Sequence, residues 1–358
     1  MEIEYCLAKL KKQVNSELES FFESKIKQAK TGNEPEELVE IIESLEKFIL
    51  NSGKRIRPIL FYFGYVIGGG KDKPEALKAS ISIELIHSYF LIHDDIIDRD
   101  NFRHGDLSMH YSYAKKAEND FKNIDSKHFG ISMAIIAGDL ASSLGYEILS
   151  KSTLPSSLRI AAINKLNNII LNTATGEILD VVLGVRQNVN AVEIINMQKY
   201  KTAKYTIEGP LQLGAILAGA DEKFLDSLGR YAIPVGIAFQ IQDDIIGVFG
   251  DEKKTGKPVG ADIREGKKTL LIVEAIKRSN NQQKKFIYSC LGNKNISLDD
   301  IKKVRDIIKE TGSLELSENK ARKLIDDAKK SLNDLLEIAS ENKKFLNDLA
   351  DFVVQRKY

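Results

Sequence analysis

Tryptophan is absent from this chain of 358 residues, and only two cysteines occur, Cys6 and Cys290. Two isolated thiols form neither a disulfide framework nor a metal-finger spacing, so covalent staples are excluded and a reducing compartment is the default. Prolines number seven; Pro35 and Pro74 stand near the starts of periodic segments, where the ring is tolerated. The net charge is +1, with no basic excess that would point to nucleic acid. No apolar run is expected to reach the length of a membrane span. The start, Met1-Glu2-Ile3-Glu4-Tyr5, lacks the basic region and apolar core of a signal peptide. Alternating β-branched stretches and two-residue hairpin signals are also missing. These absences leave a soluble, cytoplasmic, all-α chain, long enough to bury a sizeable core.

Helical periodicity runs through most of the sequence. Leu7, Leu10, Val14, Leu18 and Phe22 form one stripe over about 3–30, broken by Thr31-Gly32-Asn33. A second helix is expected at about 36–50, a third from the basic turn Gly53-Lys54-Arg55-Ile56-Arg57-Pro58, and a long one from Pro74. Further helices fall at about 131–150, 155–187, 191–217 and 222–248, with more amphipathic ones from 270 to 355. Residues 115–128 are rich in Lys, Asp and Asn and read as an exposed insertion. No repeat is evident. One domain of ten or more helices around a central cavity is the expectation.

Two acidic clusters stand out against this background. Asp94, Asp95, Asp98 and Asp100 place four carboxylates in seven residues, directly after an apolar run. On a helix Asp94 and Asp98 share a face, one turn apart. Carboxylates this close repel and rise in pKa unless a cation intervenes. A divalent metal such as Mg²⁺ suits hard oxygen ligands and bridges to substrate phosphates; an acidic helix end meeting solvent is the plainer reading. A second pair, Asp243 and Asp244, again follows an apolar helical run. Two such pairs together suggest carboxylates holding metal ions around a diphosphate.

Cations accompany them. Lys54, Arg55 and Arg57 near a helix start offer an anion site, because the helix dipole and free N–H groups add to the side chains; a solvated basic corner is the plainer reading. Gly68-Gly69-Gly70 lacks the spacing of a nucleotide-binding loop. His87 lies two turns before Asp94 and, with Tyr89 and Phe90, fits either core or site. Glu177 and Asp180 sit within a largely apolar helix and need partners there. Lys199, Lys201 and Lys204 follow, and the loop from Asp251 to Lys268 carries glycine and lysine suited to phosphate.

The motifs occur in a specific order. Gly-Lys-Arg-Ile-Arg-Pro at 53–58 precedes Asp94-Asp95-x-x-Asp98, then Arg103-x-Gly105, Lys201-Thr202 and Phe239-Gln240-x-x-Asp243-Asp244. Gly256-Lys257-Pro258 and Asp262-Ile263-Arg264-Glu265-Gly266-Lys267-Lys268-Thr269 close the series. From about residue 35 onward the chain resembles the trans-isoprenyl diphosphate synthases, the polyprenyl synthetase family, and among them the archaeal geranylgeranyl and farnesyl diphosphate synthases.

The resemblance implies a single domain over 1–358, a homodimer, and Mg²⁺-dependent head-to-tail condensation of isopentenyl diphosphate with an allylic diphosphate. It implies Asp94, Asp98 and Asp243 as the main Mg²⁺ ligands, with Asp95 and Asp244 supporting. Arg103, Lys201 and Lys257 would grip the allylic diphosphate, helped by Lys267. Lys54, Arg57 and His87 would hold isopentenyl diphosphate. The Lys201 carbonyl, Thr202 and Gln240 would face the carbocation as dipoles that stabilise it without being alkylated. Tyr89 and Phe90, five and four residues before Asp94, would floor the product tunnel about one helical turn down, ~6–7.5 Å, and set a farnesyl or geranylgeranyl product.

Some positions differ from the family pattern. His104 stands where a second arginine is usual, Leu107-Ser108 replace Pro-Thr, Glu177 replaces Gln, and Gly247 ends the second motif in place of a third Asp. His104 and the 115–128 segment motivate an alternative, a non-catalytic subunit of a hetero-oligomeric prenyl diphosphate synthase.

Overall fold

The computed structural model describes residues 3–51, 53–250, 259–335 and 338–355. Within them the protein is almost entirely helical. The order is α1 (Ile3–Thr31), α2 (Glu36–Leu50), α3 (Ile56–Ile67), α4 (Lys73–Asp98), β1 (Phe102–Arg103), β2 (Asp106–Leu107), α5 (Met109–Asp120), α6 (Ser126–Lys151) and α7 (Ser156–Val185). Next come α8 (Ala191–Gln198), a π-helical segment (Lys199–Glu208), α9 (Gly209–Leu217), α10 (Glu222–Phe249), α11 (Ala261–Glu265) and α12 (Leu270–Arg278). The chain closes with α13 (Asn281–Cys290), α14 (Leu298–Glu310), α15 (Ser313–Ser331), a 3₁₀ turn (Leu332–Asp334) and α16 (Ser340–Gln355).

Two compact units emerge. The first holds residues 1–164 and 213–220, the second 165–212 and 221–358. In the first, α4 packs on α3 and α6, and α6 also packs on α5. The predicted α1 stripe is buried from Leu7 to Phe22. Helix α4 starts on a cap, the Asp72 side chain accepting from the Glu75 N–H, with Pro74 in the first turn. It ends where Arg99 turns left-handed (φ 58°), which delivers the aspartate stretch to the helix terminus.

In the second unit α10 packs on the π-helical segment, α15 and α16. Its lower end joins a separate core of Val248, Ile263, Leu271, Ile272, Ile287, Ile301 and Val304. Ile263 and Ile272 are fully buried there, each a contribution of about 1.5–3 kcal/mol. That core fixes α11 against the end of α10.

The structure departs from the sequence reading in three places. A hairpin is present, β1 pairing antiparallel with β2 around His104-Gly105. Both turn residues have positive φ, 54° and 88°, as the tight turns favoured in hairpins require; histidine at the first place hid the signal. Residues 115–128 are mostly exposed, but they finish α5 and begin α6, with only 121–125 between the helices. Finally, α6, α7 and α10 are long and apolar enough to cross a membrane by length and composition, against the expectation that no run is. Each contains an 18-residue window with no more than two charged residues.

Candidate active site

The first acidic stretch ends α4. Asp94 and Asp98 lie toward the surface, whereas Asp95 is fully buried. Arg103 on β1 reaches back to it. Its Nε donates to Asp95 Oδ1 at 2.7 Å, and its Nη2 donates to the same oxygen. The same Nη2 is 3.9 Å from Asp94 Oδ2. Asp95 Oδ2 is buried without a hydrogen-bond partner. Burial raises the Asp95 carboxyl to about 6, and the Arg103 hydrogen bond and charge offset only part of that rise. The hairpin is therefore the device that brings a guanidinium over the helix end.

The basic turn before α3 divides into two kinds of residue. Arg55 faces inward. It donates from Nη1 to Glu84 Oε1 at 2.6 Å, from Nη2 to the Ile49 carbonyl at 2.5 Å and from Nε to Asn15 Oδ1 at 2.8 Å. One of the three expected anion-binding cations is thus a buried tie between α1, α2 and α4. Lys54 is exposed and Arg57 half-buried. His87 is held well below its ordinary pKa, first by burial and then by Arg57 and Arg103. Near the hairpin, Lys47, Arg103 and His104 share a cavity of about 230 Å³ with Ser44, Asn51 and Ser112. Lys47, six residues before the basic turn begins at Gly53, carried no motif signal.

The second acidic stretch ends α10. Asp243 is exposed and Asp244 buried. Here the buried carboxylate meets neutral amides. Gln240 Nε2 donates to Asp244 Oδ1 at 2.7 Å and Gln198 Nε2 donates to Oδ2 at 2.8 Å. Thr202 Oγ1 donates to Gln240 Oε1 at 2.6 Å, which orients that amide. Burial, then the charge of Asp262, raises Asp244 well above the usual carboxylate range. The Lys267 charge lowers it only weakly, and Lys267 itself pairs with Glu265 at 2.7 Å.

Asp262 is the residue the sequence reading quoted without giving it a role. It is buried on α11, and a side chain on Gly247 would begin 2.1 Å from its Oδ2. The position where the family has a third aspartate is therefore filled, from another helix, by the Asp262 carboxylate. Gln198 was also missed, because a lone glutamine at the end of α8 carries no spacing signal.

Lys201 lies in the π-helical segment and pairs with Glu177 Oε2 and Asp180 Oδ2, both at 2.7 Å. The acidic residues of α7 thus find their partner. Two glycines admit the wide π turn: a Cβ on Gly176 would sit 2.2 Å from the Lys201 nitrogen, and one on Gly236 2.4 Å from the Ala203 Cα. π turns inside helices are frequent at functional sites. Tyr89 and Phe90 contact each other with ring centroids 4.7 Å apart. Lys257, expected to grip a diphosphate, lies outside the described residues.

Among the described residues no group of three or more His, Cys, Asp or Glu is arranged to hold a metal ion. Each acidic stretch still offers hard oxygen donors, and Asp95 keeps a buried oxygen without a partner. Mg²⁺ commonly takes one or two carboxylates and fills its shell with water and substrate phosphate, so these sparse donor sets fit it.

The polyprenyl synthetase family model matches residues 39–308. Geranylgeranyl diphosphate synthase of Sulfolobus acidocaldarius is 32% identical, covering 88% of this chain and 91% of its own length. Geranylfarnesyl diphosphate synthase of Aeropyrum pernix is 33% identical, covering 85% and 90%. Among solved structures, geranylgeranyl pyrophosphate synthase of Corynebacterium glutamicum, complexed with isoprenyl diphosphate and magnesium, superposes with a TM-score of 0.90 at 33% identity, over 98% of this chain and 99% of that one. A match over three quarters of the sequence, with similar proteins aligned almost end to end, makes this chain a member of the polyprenyl synthetase family.

Proposed function

We propose that this protein is a short-chain trans-prenyltransferase, joining isopentenyl diphosphate head-to-tail to an allylic diphosphate with Mg²⁺. The observation that carries the reading is the shared plan of the two helix ends. In each Asp-Asp pair the second residue is buried and anchored while the first faces out: Asp94 over Asp95, Asp243 over Asp244. That arrangement supports Asp94, Asp98 and Asp243 as outward metal ligands, with Asp95 and Asp244 as their supports. The family and the relatives' names support the synthase and not the non-catalytic subunit.

In this reading the allylic C–O bond breaks, the diphosphate leaves with the electron pair, and the isopentenyl double bond supplies the pair for the new C–C bond. A proton is then lost to the departed diphosphate. Mg²⁺ held by Asp94, Asp98 and Asp243 would neutralise the leaving group's charge. Arg103, Lys201, Lys257 and Lys267 hold the allylic diphosphate; Lys54, Arg57 and His87 hold isopentenyl diphosphate, and Lys47 adds a cation beside His104. A neutral His87 donates one N–H and accepts at the other nitrogen without adding charge. Thr202 and Gln240, locked to each other, present fixed dipoles and no strong nucleophile.

The product is farnesyl or geranylgeranyl diphosphate. The tilted Tyr89–Phe90 pair favours the shorter, and the relatives named geranylgeranyl synthases favour the longer. We also propose one functional domain and a cytoplasmic homodimer. Leu171, Ile178, Val182 and Val185 are exposed along α7 at intervals of seven, four and three, an apolar stripe of helical period that a second copy would cover.

The test is a product assay. Purified protein, Mg²⁺ and labelled isopentenyl diphosphate are combined with dimethylallyl, geranyl or farnesyl diphosphate, and the dephosphorylated alcohols are sized. A C15 or C20 alcohol is expected. No turnover with any primer would overturn the reading.

A further inference from the structure

The Tyr89–Phe90 pair does not stand alone on α4. His93, one turn beyond Tyr89 on the same face, contacts it edge-on with centroids 4.7 Å apart. His93 in turn rests on α6. Its Nε2 lies 3.3 Å from the Ile135 carbonyl oxygen, which accepts from it in the Nε2-protonated tautomer. A Cβ on Gly138 would be 2.5 Å from His93 Nε2, 2.7 Å from Cδ2 and 3.3 Å from Cε1. The imidazole therefore fills the space that any side chain at 138 would need. Three rings, Phe90, Tyr89 and His93, run from the face of α4 to the bare backbone of α6.

We infer that Gly138 is a positioning residue for product length: its missing side chain seats His93 against α6, and His93 braces Tyr89 where the growing prenyl chain is stopped. This rests on the prenyltransferase reading above and extends it from the two rings on α4 to a residue on another helix. The energetics favour a local response. Close packing leaves no room for an added methyl, yet the atoms it would strike are the end of one side chain, with no backbone atom among the nearest three. In Gly138→Ala the imidazole gives way, and the ring in contact with it is Tyr89.

Three variants test this, with product length as the readout. Gly138→Ala moves His93 onto Tyr89 and shifts the products to shorter chains, changing the ratio of neighbouring lengths about tenfold or more, the effect of ~1.4 kcal/mol on competing steps. His93→Ala removes the brace and shifts them to longer chains. The double variant matches His93→Ala alone, because the added methyl has no ring to displace. A role confined to stability would change the melting temperature and leave product length alone.

A wild-type product profile in folded Gly138→Ala, or independent shifts that add in the double variant, would overturn the inference while leaving the synthase reading intact. Should Gly138→Ala not fold, His93→Ala decides: longer products support the brace and unchanged products remove it. Absence of any product from the wild-type protein would remove the inference together with the reading beneath it.

Discussion

The ends of α4 and α10 carry the same dipeptide in opposite electrostatic settings. In both, the second aspartate is buried. At α4 the buried carboxylate, Asp95, is met by a guanidinium, and it rises only to about 6. At α10 the buried carboxylate, Asp244, is met by two amides and by the charge of Asp262, and it is held well above the usual carboxylate range. Identical sequence thus gives one anchor that is an ion pair and one that is a neutral cradle. The cradle meets the carboxyl group with amide dipoles and only the distant charge of Lys267, and it stands to gain from a cation nearby.

Breaking the ion-pair anchor gives the largest effect. Arg103→Ala strands a buried carboxylate, and removal of one partner of a buried pair costs about 3–5 kcal/mol. Urea denaturation at neutral pH measures it, with prenyl transfer falling in parallel. A loss below 1 kcal/mol would mean that Asp95 is solvated and the contrast is unreal.

At the other end, Gln240→Ala removes one neutral donor and leaves Gln198 in place. The expected cost is about 1–3 kcal/mol, clearly smaller than that of Arg103→Ala in the same denaturation series. Equal costs would erase the distinction between anchor and cradle.

Gly247→Ala probes the carboxylate that crowds the cradle. The new methyl would begin 2.1 Å from Asp262 Oδ2, so Asp262 must move, at a cost of about 1–3 kcal/mol typical of overpacking. Gly247→Ala with Asp262→Ala should recover part of that loss. Additive losses would show that the two positions do not touch.

The smallest effect is a slope. His87 belongs to the cationic end, and its pKa lies well below 6.5 in the folded protein. The unfolded chain then takes up the proton first as pH falls. Its contribution is intact above pH 6.5 and is lost below it, by up to ~1.4 kcal/mol per pH unit. His87→Gln should flatten the stability curve of the wild type below pH 6.5 and leave it unchanged at pH 8. A parallel curve would contradict a neutral His87.

Much of this was legible in sequence, and the limits have physical causes. The α1 stripe and the long helices follow from periodicity, which reports burial directly. The aspartates and their spacing also show, because carboxylates without basic partners are chemically conspicuous. Which aspartate is buried depends on helix rotation within the packing, and no spacing reports it. Arg55 looked like Lys54 and Arg57, since a buried guanidinium is recognised only with Glu84 beside it. Asp262 and Gly247 lie 15 positions apart, and their contact is made by the core that pins Ile263. The π turn at Lys201 required two glycines on other helices, Gly176 and Gly236, neither marked by its own neighbours.

The most direct test of the whole account is Mg²⁺ dependence of isopentenyl incorporation in wild type, Asp94→Ala and Asp243→Ala, each checked for folding. The account predicts turnover that vanishes on chelation, returns with Mg²⁺ in the wild type, and falls by about 10² or more in both variants, because each outward aspartate is a ligand. Full turnover in chelator, or wild-type rates in either variant, would contradict it.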